Sequence, residues 1–282
     1  MILSTLLRDI FRRREARESY VDDGNAANAH GAPNIGGRRK PIPIAERYMD
    51  WSDLNQTHIR LVCATRESKD SFLLNTALGK SLALYSSLPI SIRLFEKNTI
   101  GLPQIYNQAI NESKASPAIL VFIHDDVYLP DFYWTSRIAN GLQQFKIIGL
   151  AGNKRRVPGQ PSWAFVDETF TWDSPEHLSG IVGQGDGFPS CTLSIFGAPI
   201  AEVKLLDGVL LAVHSQTLLD NQIYFDERFD FHFYDLDFCR QAEAKGLTMG
   251  TYPISVIHES GGALGIPAWR DAYAKYMDKW KS

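Results

Sequence analysis

The fold is decided by the stretch Ala118-Ile-Leu-Val-Phe-Ile-His-Asp-Asp-Val127. Its first six residues are all apolar, which is typical of a parallel strand buried on both faces of a sheet. Two adjacent carboxylates, Asp125 and Asp126, follow this strand directly. Because adjacent carboxylates repel each other, they favour a position beside a bound cation, although Asp is also a common turn residue. The stretch predicts a central strand that ends at an acidic edge of the sheet.

Strand-like and helix-like segments alternate on both sides of this strand. The predicted strands are 59–64, 90–95, 118–123 and 147–151, and the predicted helices are 68–84, 101–110 and 131–144. This alternation predicts an α/β fold with a doubly wound, mostly parallel central sheet that is flanked by helices. Ligands of such sheets bind outside the carboxyl ends of the strands, so residues at those ends are the candidates for chemistry.

The second half of the sequence is less regular. Residues 153–187 contain several Gly, Pro and Trp residues and predict a long irregular insertion, of the kind that often serves as a binding loop. A helix is predicted over 235–245, with Gly246 as its C-cap. Short strands are predicted at 192–196, 203–206, 209–213, 248–252 and 255–257.

The composition and the charge exclude several classes of protein. The chain has 282 residues, of which 44% are hydrophobic and 22% charged, as in ordinary soluble globular proteins. Its formal net charge of -3 excludes a broadly basic nucleic-acid binder. Three cysteines without a close pair exclude a disulfide scaffold and a zinc ribbon, and they favour a reducing compartment. Since no run of about 18 apolar residues occurs, we expect no membrane span and a cytoplasmic location.

The N-terminal segment differs from the rest of the chain. Residues 1–21 combine apolar residues at helical spacing with the basic cluster Arg12, Arg13 and Arg14, and they predict a basic amphipathic helix. Such a helix can lie on an anionic membrane surface, here the inner face of the membrane, or on a partner subunit. It can equally pack on its own domain or form a frayed tail. Residues 22–57 predict a linker or surface arm, because Gly, Asn, Ala and Pro dominate the greater part of it.

Two further motifs carry side chains suited to catalysis or to metal binding. Asp235 and Asp237 stand at the predicted start of a helix, whose positive end stabilises ionised carboxylates. A carboxylate beside a crevice is what a general base requires, while plain N-capping of the helix is the structural alternative. His258 closes a predicted strand before the bend Glu259-Ser-Gly-Gly262, and it could ligate Mn²⁺ or simply be hydrogen-bonded.

Taken together and in this order, the motifs resemble those of family-2 glycosyltransferases with the A-type nucleotide-sugar fold. Within that group the sequence resembles the streptomycin-biosynthesis-like glycosyltransferase domain, and the resemblance covers 59–265. His124-Asp-Asp-Val127 resembles the family's metal-binding Asp-x-Asp motif. Phe225-Asp-Glu-Arg-Phe229 followed by Tyr234-Asp-Leu-Asp237 resembles its acidic motif at the acceptor helix. Leu206-Asp-Gly-Val209 falls where the family lines the donor sugar and the acceptor.

The resemblance implies roles for particular residues. Asp126 and His258 would hold Mn²⁺ or Mg²⁺, and Asp235 would act as the general base, with Asp237 as the second choice. His124 stands where many members have the first Asp of the metal motif, and Tyr234 stands where the usual Glu precedes Asp235. Contacts to the nucleotide-sugar donor are implied for Thr65, Arg66, Glu67, Asn107, Asp125, Asp207 and Gly208.

The function that the resemblance implies is metal-dependent transfer of a sugar, with inversion, from a nucleoside-diphosphate donor to a hydroxyl of a glycan or another acceptor. The glycosyltransferase domain would span 58–282, with a nucleotide-binding half (58–152), the insertion (153–187) and an acceptor half (188–282). Two other functions stay open. One is a metal-dependent phosphohydrolase or nucleotidyltransferase, and the other is a non-catalytic protein that binds a nucleotide sugar or a glycan.

The basic residues and the tryptophans of the insertion each allow two interpretations. Lys154, Arg155 and Arg156 could pair with phosphate or form a solvated basic turn. Trp163 and Trp172 could stack on an acceptor sugar or hold the loop in place.

Overall fold

The structure is a computed structural model, and it describes residues 58–186 and 191–281. The predicted N-terminal helix over 1–21 and the linker over 22–57 lie outside the described residues. No helix in the described part of the chain is long and apolar enough to cross a membrane.

Strands and helices alternate through the first half of the described chain, as the sequence predicts. The strands are β1 (Ile59–Ala64), β2 (Ile90–Phe95), β3 (Ile119–Ile123), β4 (Val127–Tyr128), β5 (Ile147–Gly149), β6 (Ala151–Asn153), β7 (Leu178–Gln184), β8 (Thr192–Gly197), β9 (Glu202–Val203), β10 (Leu205–Leu206), β11 (Leu210–His214), β12 (Met249–Thr251) and β13 (Ile257–His258). The helices are α1 (Lys69–Asn75), α2 (Ala77–Leu82), α3 (Leu102–Glu112), α4 (Trp134–Gln144), α5 (Ser215–Asn221), α6 (Tyr234–Ala244) and α7 (Pro267–Trp280).

The main sheet has seven strands in the order β2-β1-β3-β11-β5-β12-β9. β1 pairs in parallel with β2 and β3, and β12 pairs in parallel with β5. β11 is antiparallel to both of its neighbours, and β9 is antiparallel to β12. Five strands therefore run in one direction and two in the other. This confirms an α/β fold with a mostly parallel central sheet, in which every residue of β3 is buried.

A second sheet has the order β10-β6-β7-β13-β4, with β8 paired to β7. Its strands β4 and β6 follow shortly after the carboxyl ends of β3 and β5, so the second sheet adjoins that edge of the main sheet. The prediction of an irregular insertion over 153–187 is wrong in its last part, because β7 occupies Leu178–Gln184. Glycines interrupt the apolar pattern of this strand. Gly180 has a φ of +111°, and a Cβ there would collide with the Leu150 carbonyl.

The first predicted helix, over 68–84, is divided in two. Thr76 has an extended backbone that ends α1, and its Oγ1 accepts a hydrogen bond from Gly79 N at 3.1 Å to cap α2. Leu78 N in turn donates to the Asp125 carbonyl at 3.0 Å. The division therefore places the start of α2 against the acidic turn that follows β3.

Candidate active site

A cavity of about 560 Å³ lies at the edge where the two sheets adjoin. Its wall includes 124–126 after β3, 207–209 before β11, 231–236 at the start of α6 and 260–264 after β13, and 161–165 of the insertion also lines it. Small-molecule sites commonly enclose about 300–1,000 Å³. The cavity is thus of suitable size, and it lies outside the carboxyl end of β3.

Three side chains in the cavity present metal-ligand atoms to one another. The ligand atoms of His124, Asp126 and His258 all lie within 4.8 Å of one another. His258 Nε2 is 3.3 Å from Asp126 Oδ2, and His124 Nδ1 is 3.9 Å from Asp126 Oδ1. In the pairing of β13 with β4, His258 lies opposite Val127, which brings it beside the acidic turn. Motif matching assigns no metal-binding role to His124, which the structure places beside Asp126 in the turn between β3 and β4.

The residues of this cluster fit a divalent cation. Among the described residues Asp126 Oδ1 is buried without a hydrogen-bond partner, which is unusual for a carboxylate oxygen. Burial raises the pKa of Asp126, but the hydrogen bond with His258 and the nearby histidine charges outweigh it and lower the pKa to about 2. The carboxylate is therefore ionised at neutral pH. Carboxylate and neutral imidazole are both ligands of divalent transition metals.

The hydroxyl of Tyr234 joins this cluster to the next part of the wall. It donates to the Gly208 carbonyl at 2.9 Å and lies 2.9 Å from His124 Nε2. Because the hydroxyl has one proton and gives it to Gly208, Nε2 must carry the ring proton of His124. Burial lowers the pKa of His124, which favours this neutral form. Nδ1, which faces Asp126, is then the unprotonated nitrogen, the form in which an imidazole could ligate a cation.

If the cluster binds Mn²⁺, Tyr234→Phe should weaken that binding by about 10–100-fold, the usual effect of removing the partner of a metal-ligating histidine. Titration of Mn²⁺ followed by electron paramagnetic resonance measures the affinity. Tyr85→Phe is the matched control, since the Tyr85 hydroxyl also donates to a backbone carbonyl, that of Leu129 at 2.6 Å, but lies outside the cavity lining. Equal affinities of the two variants would contradict the role of Tyr234.

Asp235 is a partly buried carboxyl in the cavity wall, within the first turn of α6. Its Oδ2 accepts a hydrogen bond from Gly208 N at 3.0 Å, and its Oδ1 accepts one from Leu236 N at 2.9 Å. Desolvation by the surrounding protein raises the pKa of Asp235, and the charge of Asp207 raises it further, to about 7. A carboxyl with this pKa can accept and release a proton near neutral pH, as a general base must.

The turn before β11 approaches α6 closely. Asp207 Oδ1 accepts a hydrogen bond from Val209 N at 3.0 Å, and Asp207 Oδ2 accepts one from Trp163 Nε1 at 2.8 Å. A Cβ at Gly208 would collide with the Tyr234 hydroxyl and with Asp235. Only glycine therefore allows the contact that positions both side chains.

α6 begins directly after Phe233, a residue with a strained backbone. Phe233 precedes the helix and has a φ of +66°, in the left-handed region. This conformation destabilises a residue that has a side chain by about 1–2 kcal/mol. The ring of Phe233 packs against Trp269, Tyr273 and Tyr276 of α7, with centroid distances of 5.3, 5.6 and 5.2 Å. This packing holds the strained backbone, and such strain is concentrated at functional sites.

The structure does not bring Asp237, the second choice for the base, into the cavity lining. Its side chain is fully buried and accepts hydrogen bonds from Trp280 Nε1 at 2.8 Å and Gln241 Nε2 at 2.7 Å. Lys279 Nζ pairs with it at 2.6 Å. Side chains two positions apart on a helix point to nearly opposite faces. Asp237 therefore anchors α7, while Asp235 faces the cavity.

We expect Asp237→Ala to lower the free energy of unfolding by about 3 kcal/mol, because the change leaves part of a buried charge network without its partner. Lys279 keeps its contact with Asp226 at 2.7 Å, which limits the loss. Denaturant unfolding measures the change. Asp278→Ala, at an exposed position of α7, is the control and should shift stability by no more than about 0.5 kcal/mol. A loss below about 1 kcal/mol for Asp237→Ala would contradict the anchoring role.

The predicted donor contacts divide into two groups. Asp125, Asp207 and Gly208 line the cavity. The others do not line it: Thr65, Arg66, Glu67 and Asn107.

Two of these other residues, Thr65 and Asn107, have structural partners elsewhere. Thr65 is buried and its Oγ1 accepts a hydrogen bond from Glu67 N at 3.2 Å, so it shapes the turn after β1. Asn107 holds the backbone of Phe225 through two hydrogen bonds of 2.8 and 2.9 Å. Arg66 is exposed. Local sequence cannot distinguish these positions from cavity residues, because the distinction depends on contacts between distant segments.

The basic stretch of the insertion is also occupied by protein partners. Lys154, Arg155 and Arg156 bind, respectively, the Glu176 carbonyl, Asp173 and Glu243. None of these three residues lines the cavity. This favours the interpretation of the stretch as a basic turn over its interpretation as a phosphate-binding site.

Comparisons with known proteins place the chain in a family. The sequence model of a family described as "Glycosyltransferase like family" matches residues 90–261, more than half of the chain. A search of the curated proteins finds no match. Among solved structures, GalNAc-T7 with UDP, GalNAc and Mn²⁺ is 10% identical with a TM-score of 0.44, and the match covers 79% of this chain and 48% of that chain. A197 from STIV is 9% identical with a TM-score of 0.39, and the match covers 74% of this chain and 98% of that chain.

The chain thus spans about half the length of GalNAc-T7. The family match confirms the predicted resemblance to glycosyltransferases: the chain belongs to the glycosyltransferase-like family.

Proposed function

We propose that the protein is a metal-dependent, inverting glycosyltransferase that moves a sugar from a nucleoside-diphosphate donor to an acceptor hydroxyl. One observation carries the proposal. The same cavity holds the cluster of His124, Asp126 and His258 and a separate carboxyl, Asp235, whose pKa is raised to about 7. Transfer from such a donor needs both functions in one site, namely neutralisation of a diphosphate and removal of a proton from a hydroxyl.

At the donor end, His124, Asp126 and His258 would hold the cation. A bound Mn²⁺ or Mg²⁺ would supply Lewis-acid neutralisation of the diphosphate charge. We favour Mn²⁺, because Mg²⁺ prefers oxygen ligands and two of these three side chains are imidazoles. Asp125 and Asp207, which line the cavity near the cluster, are the proposed contacts to the ribose and the donor sugar.

At the acceptor end, Asp235 would take the proton of the acceptor hydroxyl. The acceptor oxygen forms a bond to the anomeric carbon, the bond from that carbon to the diphosphate oxygen breaks, and the nucleoside diphosphate leaves. A single displacement of this kind inverts the configuration.

Two finer parts of the proposal depend on the sequence alone. The resemblance over 59–265 supports the streptomycin-biosynthesis-like branch of the family. The basic amphipathic pattern of 1–21 supports a cytoplasmic location at the inner face of the membrane or on a partner subunit.

The test of the proposed function is turnover. The full chain is incubated with UDP-, dTDP-, GDP- and CDP-sugars, with Mn²⁺ or with EDTA, and release of the nucleoside diphosphate is measured. We expect the nucleoside diphosphate to be released from the donors of one nucleotide class, with Mn²⁺ and not with EDTA. Binding of a nucleotide without any release would instead favour the non-catalytic binding protein.

The pH dependence of transfer follows from the raised pKa of Asp235, about 7. The base must be deprotonated to accept the acceptor proton, so kcat/KM should fall about tenfold for each pH unit below 7 and level off above it. Initial rates between pH 5.5 and 8.5 measure the profile, and thermal shift with the nucleotide at each pH controls for donor binding. A flat profile with intact binding would contradict the assignment of Asp235.

A further inference from the structure

Trp172 is a large exposed side chain of the cavity wall that the transfer step above does not use. It is 55% exposed and lines the cavity. The rings of Phe165 and Trp172 form a T-shaped contact at a centroid distance of 4.7 Å, and Phe196 stacks with Trp172 at 6.0 Å and an interplanar angle of 23°. An indole held by two rings is a fixed aromatic surface that can bind a ligand without first being ordered.

Trp163 differs from Trp172 in both exposure and bonding. It is 9% exposed, its Nε1 donates to Asp207 at 2.8 Å, and its ring meets Phe196 edge-on at 4.8 Å. These contacts use both the polar and the apolar parts of the side chain. Trp163 therefore holds the insertion in place, while Trp172 leaves one surface open to the cavity.

The aromatic surface and the candidate base belong to one continuous wall. Phe196 contacts Trp172 and Trp163, and Trp163 in turn binds Asp207. Asp207 is followed by Gly208, whose N–H binds Asp235. A ligand that covers Trp172 therefore lies in the same cavity as the carboxyl that would accept its proton.

Polar side chains accompany the aromatic surface. Ser162, Gln184 and Ser194 line the same cavity, and Ser194 and Phe196 lie on the same face of β8. A pyranose ring has an apolar face and polar edges, so it can cover an indole and bind hydroxyl and amide groups at once. An alkyl chain would desolvate these groups without bonding to them, which is unfavourable.

We propose that Trp172 forms an acceptor subsite, on which a pyranose ring of a carbohydrate acceptor stacks. This inference rests on the proposed function, and it adds the class of acceptor and a residue that selects it. The alternatives, an alkyl alcohol or another hydroxyl compound, are outcomes of the test below.

The test measures KM and kcat for methyl glycosides of glucose, galactose and mannose and for their disaccharides, with the full chain, Mn²⁺ and the active donor. Trp172→Ala should raise the KM of the accepted saccharide about tenfold, the change that a loss of about 1.4 kcal/mol produces. Trp172→Phe, which keeps an aromatic ring and the packing, should recover most of the affinity. Phe132→Ala, at a side chain that is 70% exposed and outside the cavity lining, should leave KM unchanged.

Hydrolysis of the donor by water, without acceptor, separates this inference from the function on which it rests. It is measured in the wild type and in Phe132→Ala, and we expect the same rate in both. If donor hydrolysis occurs but no saccharide is accepted, if octanol is accepted in place of saccharides, or if KM is unchanged in Trp172→Ala, the subsite is overturned and the proposed function stands. If no donor is bound or hydrolysed by the wild type, the proposed function itself fails.

Discussion

Asp235→Asn lowers the rate of sugar transfer by about 10²–10⁴-fold and leaves Mn²⁺-dependent binding of the donor nucleotide unchanged. The amide retains the shape of the carboxyl, and its oxygen can still accept the hydrogen bond from Gly208 N. It cannot take the proton of the acceptor hydroxyl, so the loss falls on kcat. Steady-state rates with saturating donor measure the effect. A variant that retains more than about a tenth of the wild-type rate would contradict the assignment of the base.

The melting temperature of Asp235→Asn tests whether this variant is folded. The pKa of Asp235 in the folded protein, about 7, lies above its ordinary value of 3.8. Between these values the unfolded chain is ionised while the folded chain keeps its proton, so raising the pH through this window destabilises the folded protein. Asp235→Asn removes this penalty and should raise the Tm at pH 8. Asp230→Asn, the same change at an exposed residue outside the cavity lining, is the matched control for activity.

Asp126→Ala abolishes Mn²⁺ binding in the cavity and, with it, the metal-dependent binding of the donor nucleotide. The change removes the carboxylate of the three-ligand cluster and leaves His124 and His258 without the charge that attracts a cation. Nucleotide at 100 times its Kd stabilises a protein by about 2.7 kcal/mol, or about 5–10 °C in Tm for a domain of this size. The variant should lose this shift entirely.

The effect of Asp126→Ala needs a control for loss of negative charge in general. Asp220→Ala removes an exposed carboxylate of α5 that is outside the cavity lining, and it should bind Mn²⁺ and nucleotide as the wild type does. Retention of Mn²⁺ binding by Asp126→Ala, measured by electron paramagnetic resonance, would show that the cluster is not the metal site.

The main sheet could be predicted from the sequence because each of its elements carries a local signal. β3 is apolar throughout, α3 has Pro103 in its first turn, and α6 ends shortly before Gly246, which has a φ of +72°. β7 could not be predicted, because Gly180 and Gly183 interrupt its apolar pattern. Its strand conformation depends on pairing with β6 and β13.

The candidate site could be predicted only where a motif marks the position of a side chain. The acidic turn, Asp235 and His258 stand in motifs, and the structure brings them to one cavity. The contact between His124 and Tyr234 joins residues 110 positions apart, and no local sequence pattern indicates it. Asp237 resembles Asp235 in sequence, and only the packing of α7 separates their environments.

The cation-dependent donor site is tested most directly by thermal shift of the full chain with UDP, dTDP, GDP and CDP, each with Mn²⁺ and again with EDTA. We expect one nucleoside diphosphate to raise the Tm by about 5–10 °C with Mn²⁺ and not with EDTA. That result would name the nucleotide and establish that binding requires the cation. The absence of any shift with all four nucleotides in Mn²⁺ would contradict the donor site and with it the proposed transfer.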